Sequence, residues 1–285
     1  GREAISDEIN SIIKLNDPDQ ISRAIGKMNK PVTTLDMIVE AWLNGLLSGP
    51  VTHAANIASN TLTNVTNIME TSLAAGIGAA REKAGLCGAE RIYLGEAKER
   101  LFNLVNNSQE AMTAARQAFA DDAAPSIATG KLDVRRPGAI PSVKVNIPGL
   151  GEREIGGRQI RTFTRLLSAE DAFFQAIIKR QEISALAYRK AMQEGLTGER
   201  AASRIAELVA DPTEAMHTEA AKQQAYLTFT KPLGATGRGW QNAINNTPGA
   251  KFFVPFFRTP TNILKHAGER TVLGSFGKEV RANLS

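Results

Sequence analysis

From Leu35 onward the apolar residues Leu35, Ile38, Val39, Trp42, Leu43 and Leu46 recur at three- and four-residue steps, the spacing of one face of a helix opened by Thr33 or Thr34. Gly49-Pro50 breaks or kinks that helix, and the next one, running to about Arg81, has an unusual composition. The stretch from Ala41 to Met69 carries no charge and is long enough to cross a membrane, yet it is filled with Asn and Thr rather than Leu and Val. On a helix, His53, Asn56, Asn60, Asn64 and Asn67 share one face as a ladder of amides, and Ala54, Ala58, Leu62, Val65, Met69 and Leu73 form a neighbouring apolar edge. Asn competes with the helix for backbone hydrogen bonds, so this many in one helix imply a compensating use. Two uses fit: pairing between packed helices, or an uncharged wet lining.

The remaining pattern is also helical. Residues 2–15 read as a helix, and Asp17-Pro18-Asp19-Gln20 supplies the cap of a second that ends near Lys30. A helix from about Glu90 to Ala120 shows Leu94, Ala97, Leu101, Leu104, Ser108, Met112, Ala115 and Phe119 in the three-four alternation of a packed stripe. Between 121 and 157, Pro, Gly and alternating Val/Ile predict an irregular excursion with a hairpin of short strands. Helical pattern returns near Ile160, with Ser168-Ala-Glu-Asp171 placed as a capping box that restarts the helix, and Gly195 ends it. Shorter helices follow at about 198–209 and 213–229, then after Pro260 and around Gly277. The fold class is therefore all-α: an elongated multi-helix bundle with helical regions at 1–120 and 158–230, the excursion at 121–157, and a loop-rich basic, aromatic segment at 231–285.

The composition fits this class, since 42% hydrophobic content supports a packed core while aromatic content is only 6%. A start at Gly1 suggests a piece of a longer or processed polypeptide. The single cysteine, Cys87, excludes an internal disulfide framework. Charge is uneven: residues 231–285 hold eight Lys or Arg against Glu269 and Glu279, so the tail carries the whole excess of the +5 chain. A second basic stretch runs from Lys131 to Arg165. Arg135, Arg136, Arg158, Arg161, Lys231, Arg238 and Arg258 are thus candidate contacts for an anion or DNA.

Candidate chemistry is sparse. His53, His217 and His266 are far apart with no ligand spacing, and one Cys cannot build a zinc site, so no metal or other cofactor is expected. "GATGRGW" (234–240) lacks the Lys-Ser/Thr of a phosphate loop and reads as a flexible basic loop. Glu40 and Glu170-Asp171 are placed as general acids would be, but acids at helix starts ordinarily interact with the helix dipole. No catalytic residue is assigned. In "KFFVPFFRTPTNILKH" (251–266), Pro255 and a helix capped by Thr259 and begun by Pro260 hold Phe252, Phe253, Phe256 and Phe257 on a bent connector between cations. That arrangement predicts a docking segment.

The run "EAWLNGLLSGPVTHAANIASNTLTN", then "TRLLSAEDAFFQAIIKRQEISALAYRKAMQEG" and "FFVPFFRTPTNILK", resembles the large internal virion, or DNA-ejection, proteins of short-tailed bacteriophages and related polyvalent phage proteins. The resemblance covers about Thr34 to Leu264 in order, with gaps. It implies a structural protein, made in the host cytoplasm and packed inside the virion with portal and other ejection proteins. After ejection it would form a homo-oligomeric ring or tube in the host envelope, with contacts to DNA and membrane. In such a conduit neutral amides keep the wall wet without binding phosphates. Some members of that family carry a peptidoglycan-cleaving domain, but no recognisable lytic Glu motif stands in this chain. The alternatives are a nucleic-acid-binding module and, less favoured, a peptidoglycan-cleaving enzyme.

Overall fold

The computed structural model describes residues 32–85, 91–120, 139–147 and 151–270. The helices expected at 2–15, 18–30 and around Gly277, together with Cys87, Arg135 and Arg136, lie outside the described residues. The described fold is all-α, with a single two-stranded hairpin. In chain order it comprises α1 (Thr34–Leu47), α2 (Pro50–Lys83), α3 (Leu94–Asn106), α4 (Ser108–Ala120), β1 (Ser142–Ile147), β2 (Gly151–Gly156), α5 (Gly157–Ile160), α6 (Thr162–Gln193), α7 (Gly198–Ala210), α8 (Glu214–Leu227), α9 (Ala235–Asn246), α10 (Ala250–Phe253) and α11 (Arg258–Glu269). The chain divides into two units. One takes residues 1–50, 119–168 and 229–285; the other takes 51–118 and 169–228.

In the first unit α1 starts as its sequence dictates: Thr33 Oγ1 accepts from Asp36 N at 3.2 Å and Asp36 Oδ2 accepts from Thr33 N at 3.0 Å, a reciprocal capping box. Its buried face is Val39, Leu43 and Leu47 together with Glu40 and Asn44, whereas Ile38, Trp42 and Leu46 face outward. Leu47 packs on Leu167, with Phe256 against both. The hairpin pairs β1 and β2 antiparallel, Ser142 opposite Gly156 and Ile147 opposite Gly151. Glu40 anchors its base: Oε2 accepts from Ile140 N at 2.7 Å, while Arg161 Nη1 donates to Glu40 Oε1 and to Ile140 O, each at 3.1 Å. The carboxylate and guanidinium thus hold the N–H and the C=O of Ile140, just before β1. Each is buried, and each is satisfied by the other.

In the second unit the apolar core lies where α6 meets α7 and α8: Ile183, Ala187, Leu208, Met216 and Ala220 pack together, flanked by Leu186, Ile205 and Val209. Ile183, Leu208 and Met216 each contribute about 1.5 to 3 kcal/mol by their burial. The carboxyl end of α6 closes as a Schellman turn, with Leu196 N donating to Ala191 O at 3.1 Å and Gly195 in the left-handed region at φ +73°.

Several sequence expectations give way here. The segment 90–120 forms two helices, because Asn107 (φ −96°, ψ 15°) leaves helical geometry between α3 and α4. Its expected packed stripe is split: Leu94, Leu101, Ser108, Met112 and Phe119 are exposed and Leu104 is half-buried, while its Ala97 and Ala115 are buried together with Glu96, Arg100, Asn103 and Ala111. α6 continues through Ser168 without restarting, since Ser168 Oγ bonds Thr164 O at 3.0 Å within the helix instead of capping a new one. The "GATGRGW" loop is the start of α9, and the 231–270 segment is largely helical rather than loop-rich. α11 begins at Arg258, before the Thr259 cap expected; Pro260 is tolerated there because a first-turn N–H has no helical partner.

Gly95 of α3 marks the tightest approach in the second unit. A Cβ there would lie 1.9 Å from Tyr188 Cζ, inside a ring that α6 holds edge-on to Tyr93 at 6.5 Å between centroids. Gly45 of α1 faces open space. Gly95→Ala is therefore expected to lower stability by about 1 to 3 kcal/mol through overpacking. Gly45→Ala should raise it by about 0.5 to 1 kcal/mol through lost chain entropy. Denaturant midpoints of the two variants check the opposite signs.

Candidate functional site: a buried polar spine

The amide ladder of α2 lies in the second unit, turned inward. Asn60 and Asn64 are each 1% exposed, His53 is buried and Asn56 and Asn67 are half-buried. Facing them is α6, running parallel. His53 Nδ1 lies 2.7 Å from Glu170 Oε1, and Asn56 Nδ2 donates to Glu170 Oε2 at 2.8 Å and to Asp171 Oδ1 at 3.3 Å. Three turns on, Asn64 and Gln181 exchange two amide bonds of 3.1 Å each. The eleven-residue step from His53 to Asn64 equals that from Glu170 to Gln181, which keeps both rungs level on two nearly straight helices.

α3 completes the spine from the opposite direction. Gln181 Nε2 also donates to Arg100 O at 2.9 Å; Arg100 Nη1 pairs with Glu182 at 2.7 Å and reaches Asn67 Oδ1 at 3.5 Å. Further along, Arg189 grips Glu96 with two bonds of 3.1 and 2.7 Å, and Glu96 also accepts from Tyr93 N at 2.9 Å to cap α3. Asn60 adds a rung within α2, donating to Asn56 O at 2.9 Å. Arg100 with Glu182 and Arg189 with Glu96 are neutralised as pairs, as burial requires.

Such a network does not suit an uncharged wet lining. His53, Asn56, Asn64 and Asn67 meet side chains of other helices of the unit while Asn60 bonds within α2, so of the two uses open for the ladder the interhelical one describes this face best. The outside of α2 is correspondingly apolar: Val51, Leu62, Met69, Leu73 and Ile77 are mostly exposed, Leu73 by 69%. Its hydroxyls are folded onto its own backbone, Thr61 to Ile57 O and Thr63 to Ser59 O at 2.8 Å. No helix among the described residues is long and apolar enough to cross a membrane. Nor is any group of three His, Cys, Asp or Glu among them placed to hold a metal ion.

The other candidate residues are dispersed. Phe252 lies against Trp42, 6.1 Å between centroids, Phe256 packs on Leu47 and Leu167, and Phe257 is half-buried. Of the four rings of the expected docking segment three are thus half-buried in the first unit, and Phe253 projects, 88% exposed. Arg161, expected to meet anions, is buried against Glu40. Arg158 bonds Ser142 Oγ through its backbone and the Ala120 carbonyl through its side chain. Lys231, Arg238 and Arg258 are half-buried and engaged within the chain. Arg165, from the same basic stretch, stacks on the Phe119 ring at 4.4 Å and donates to its carbonyl.

Sequence reading missed the partners Gln181, Glu182, Arg100, Glu96 and Arg189. One signal was present: the interval from Asn56 to Asn67 recurs from Asp171 to Glu182. Compared with protein-family models, curated proteins and solved structures, the chain matches none.

Removing one member of the Asn64–Gln181 pair strands the other in a dry site. Asn64→Leu and Gln181→Leu are each expected to cost about 1 to 3 kcal/mol, and the double variant clearly less than their sum. A double-mutant cycle by denaturant unfolding measures the difference. Burial holds the Glu99 carboxyl above its ordinary range. A raised folded pKa means that stability present at low pH is lost as pH rises through it. Glu99→Gln should therefore melt higher than the parent at pH 7, and the gap should close below about pH 4.

Proposed function

We propose that this chain is a structural, non-catalytic subunit of a phage internal virion, or DNA-ejection, assembly, which associates with copies of itself to form part of a conduit for genome delivery across the host envelope. The ordered resemblance of its three segments supports the family. The observation that carries the structural role is the reversed polarity of α2: amides and charges turned inward, a charge-free apolar face turned outward. An apolar face of this length on a soluble surface is built to be covered. In this reading the amide ladder holds subunit helices in register, and other surfaces face the DNA.

The alternatives are weakened by the same geometry. A nucleic-acid-binding module needs cations free to meet phosphates, yet Arg161 is consumed by Glu40, and Lys231, Arg238 and Arg258 are half-buried. A lytic enzyme needs an accessible acid. Glu40 is buried in an ion pair with Arg161, and the carboxylate of Glu170 is taken up by His53 Nδ1 and Asn56 Nδ2.

The reading predicts that the polypeptide is found inside full particles and moves to the host envelope fraction once the genome is released. Mass spectrometry of particles before and after ejection, with fractionated cells, checks this. Absence from particles overturns the reading. Tight DNA binding by the isolated chain, falling steeply with salt, would favour the nucleic-acid alternative instead.

A further inference from the structure

A helix ordinarily docks through an apolar stripe, but α11 of the first unit is held by a polar side chain. Among the described residues of α11 Asn262 alone is buried, while Ile263 and Leu264 stand 43% and 73% exposed. Asn262 Nδ2 donates to Phe229 O and to Lys231 O, each at 2.8 Å, so both of its N–H groups are spent on the stretch that leaves α8. The two carbonyls also fix which end of the amide points inward.

The residue so gripped is strained. Phe229, at φ +59°, is the one residue other than Gly among those described that lies in the left-handed region. It follows the C-cap Thr228 of α8, a position where Gly is the usual occupant because a Cβ crowds the backbone. Its ring is buried and stands at 83° to the His266 ring of α11, 5.1 Å between centroids. Strained backbone persists only where its surroundings hold it, and α11 supplies both holds: an amide on the carbonyl and a ring on the side chain. We infer that α11 is a detachable strap latched by Asn262, whose docking keeps Phe229 in the left-handed region and whose release relaxes it.

Two neutral hydrogen bonds and one buried ring favour docking. The left-handed Phe229 opposes it by about five- to thirtyfold, and ordering of the connector opposes it further. What remains is a fraction of the stability of the whole fold, so α11 opens by itself. On release Phe229 returns to negative φ, water meets the two carbonyls, and the Phe229 ring is uncovered as α11 comes free. The cluster of Leu47, Leu167 and Phe256 contains no side chain of α11 and stays closed. The strap is thus a two-state element, hiding one aromatic ring when docked and presenting it when released.

Hydrogen exchange of the full chain, followed by mass spectrometry, reads the opening directly. In the parent, amides of residues 262–269 should exchange roughly tenfold or more faster than those of residues 39–47 in α1 of the same unit. Asn262→Ala should speed exchange in α11 by a further factor of about ten to a hundred, leaving α1 and the melting temperature as in the parent. Phe229→Ala and Phe229→Gly both delete the ring, but only Gly accepts the left-handed backbone. Exchange in α11 should therefore be about three- to tenfold slower in the Gly variant than in the Ala variant. Equal exchange in those two variants overturns the coupling of docking to strain. A parent in which α11 exchanges as slowly as α1 overturns the strap itself. So does an Asn262→Ala chain that fails to fold or in which α1 quickens along with α11, since α11 is then part of the core.

Discussion

An amide buried between helices has no water to fall back on, and the second unit is organised around that constraint. Asn64 and Gln181 satisfy each other through two bonds, and the spare capacity of Gln181 is met by the Arg100 carbonyl. Sliding α2 by one residue along α6 moves every rung by about 1.5 Å and turns it by about 100°, leaving all of them unmatched at once. An apolar seam tolerates such slips because one Leu substitutes for another. The spine therefore supplies registry more than net stability, the best-attested use of buried polar groups. It also joins segments more than a hundred residues apart in the chain.

Filling the interface with polar side chains displaces the apolar ones. Leu62, Met69 and Leu73 on α2, and Leu94, Leu101 and Met112 on α3 and α4, have no place inside and are carried on the outside. The apolar core proper is shifted to the junction of α6 with α7 and α8. A fold that stopped there would be poorly soluble. Polar pairing inside and apolar side chains outside are thus two consequences of one arrangement.

The first unit uses the same logic on a smaller scale. Glu40 on α1 and Arg161 beside α6 are the charged groups a basic-stretch reading would send to the surface, yet they close on the Ile140 peptide and set the base of the hairpin. Thr164 and Asn44 bond one turn away, again a polar pair between helices. At the carboxyl end of α4, Arg165 supplies the donor that the last-turn Phe119 carbonyl lacks and covers its ring. Arg161 and Arg165, counted in the basic stretch, are thus structural.

The sequence by itself determined the local structure: the capping box at Thr33 and Asp36, the break at Gly49-Pro50, the stop at Gly195, the hairpin within the Pro/Gly-rich stretch and the all-α class. These follow from interactions within a few residues, which any chain of this composition makes wherever it folds. It also placed the amides of α2 on one face, because helical periodicity alone does that. Only the tertiary structure decided which way that face points and what meets it. Periodicity reports that apolar and polar positions are segregated, not which set is inside, and the usual assignment failed for Leu94, Leu101 and Met112 because buried amide pairing took the interior instead. The same limit applies to Arg161 and Phe256: charge and aromaticity are properties of a residue, whereas being consumed by Glu40 or packed on Leu47 depends on chain segments far away in sequence.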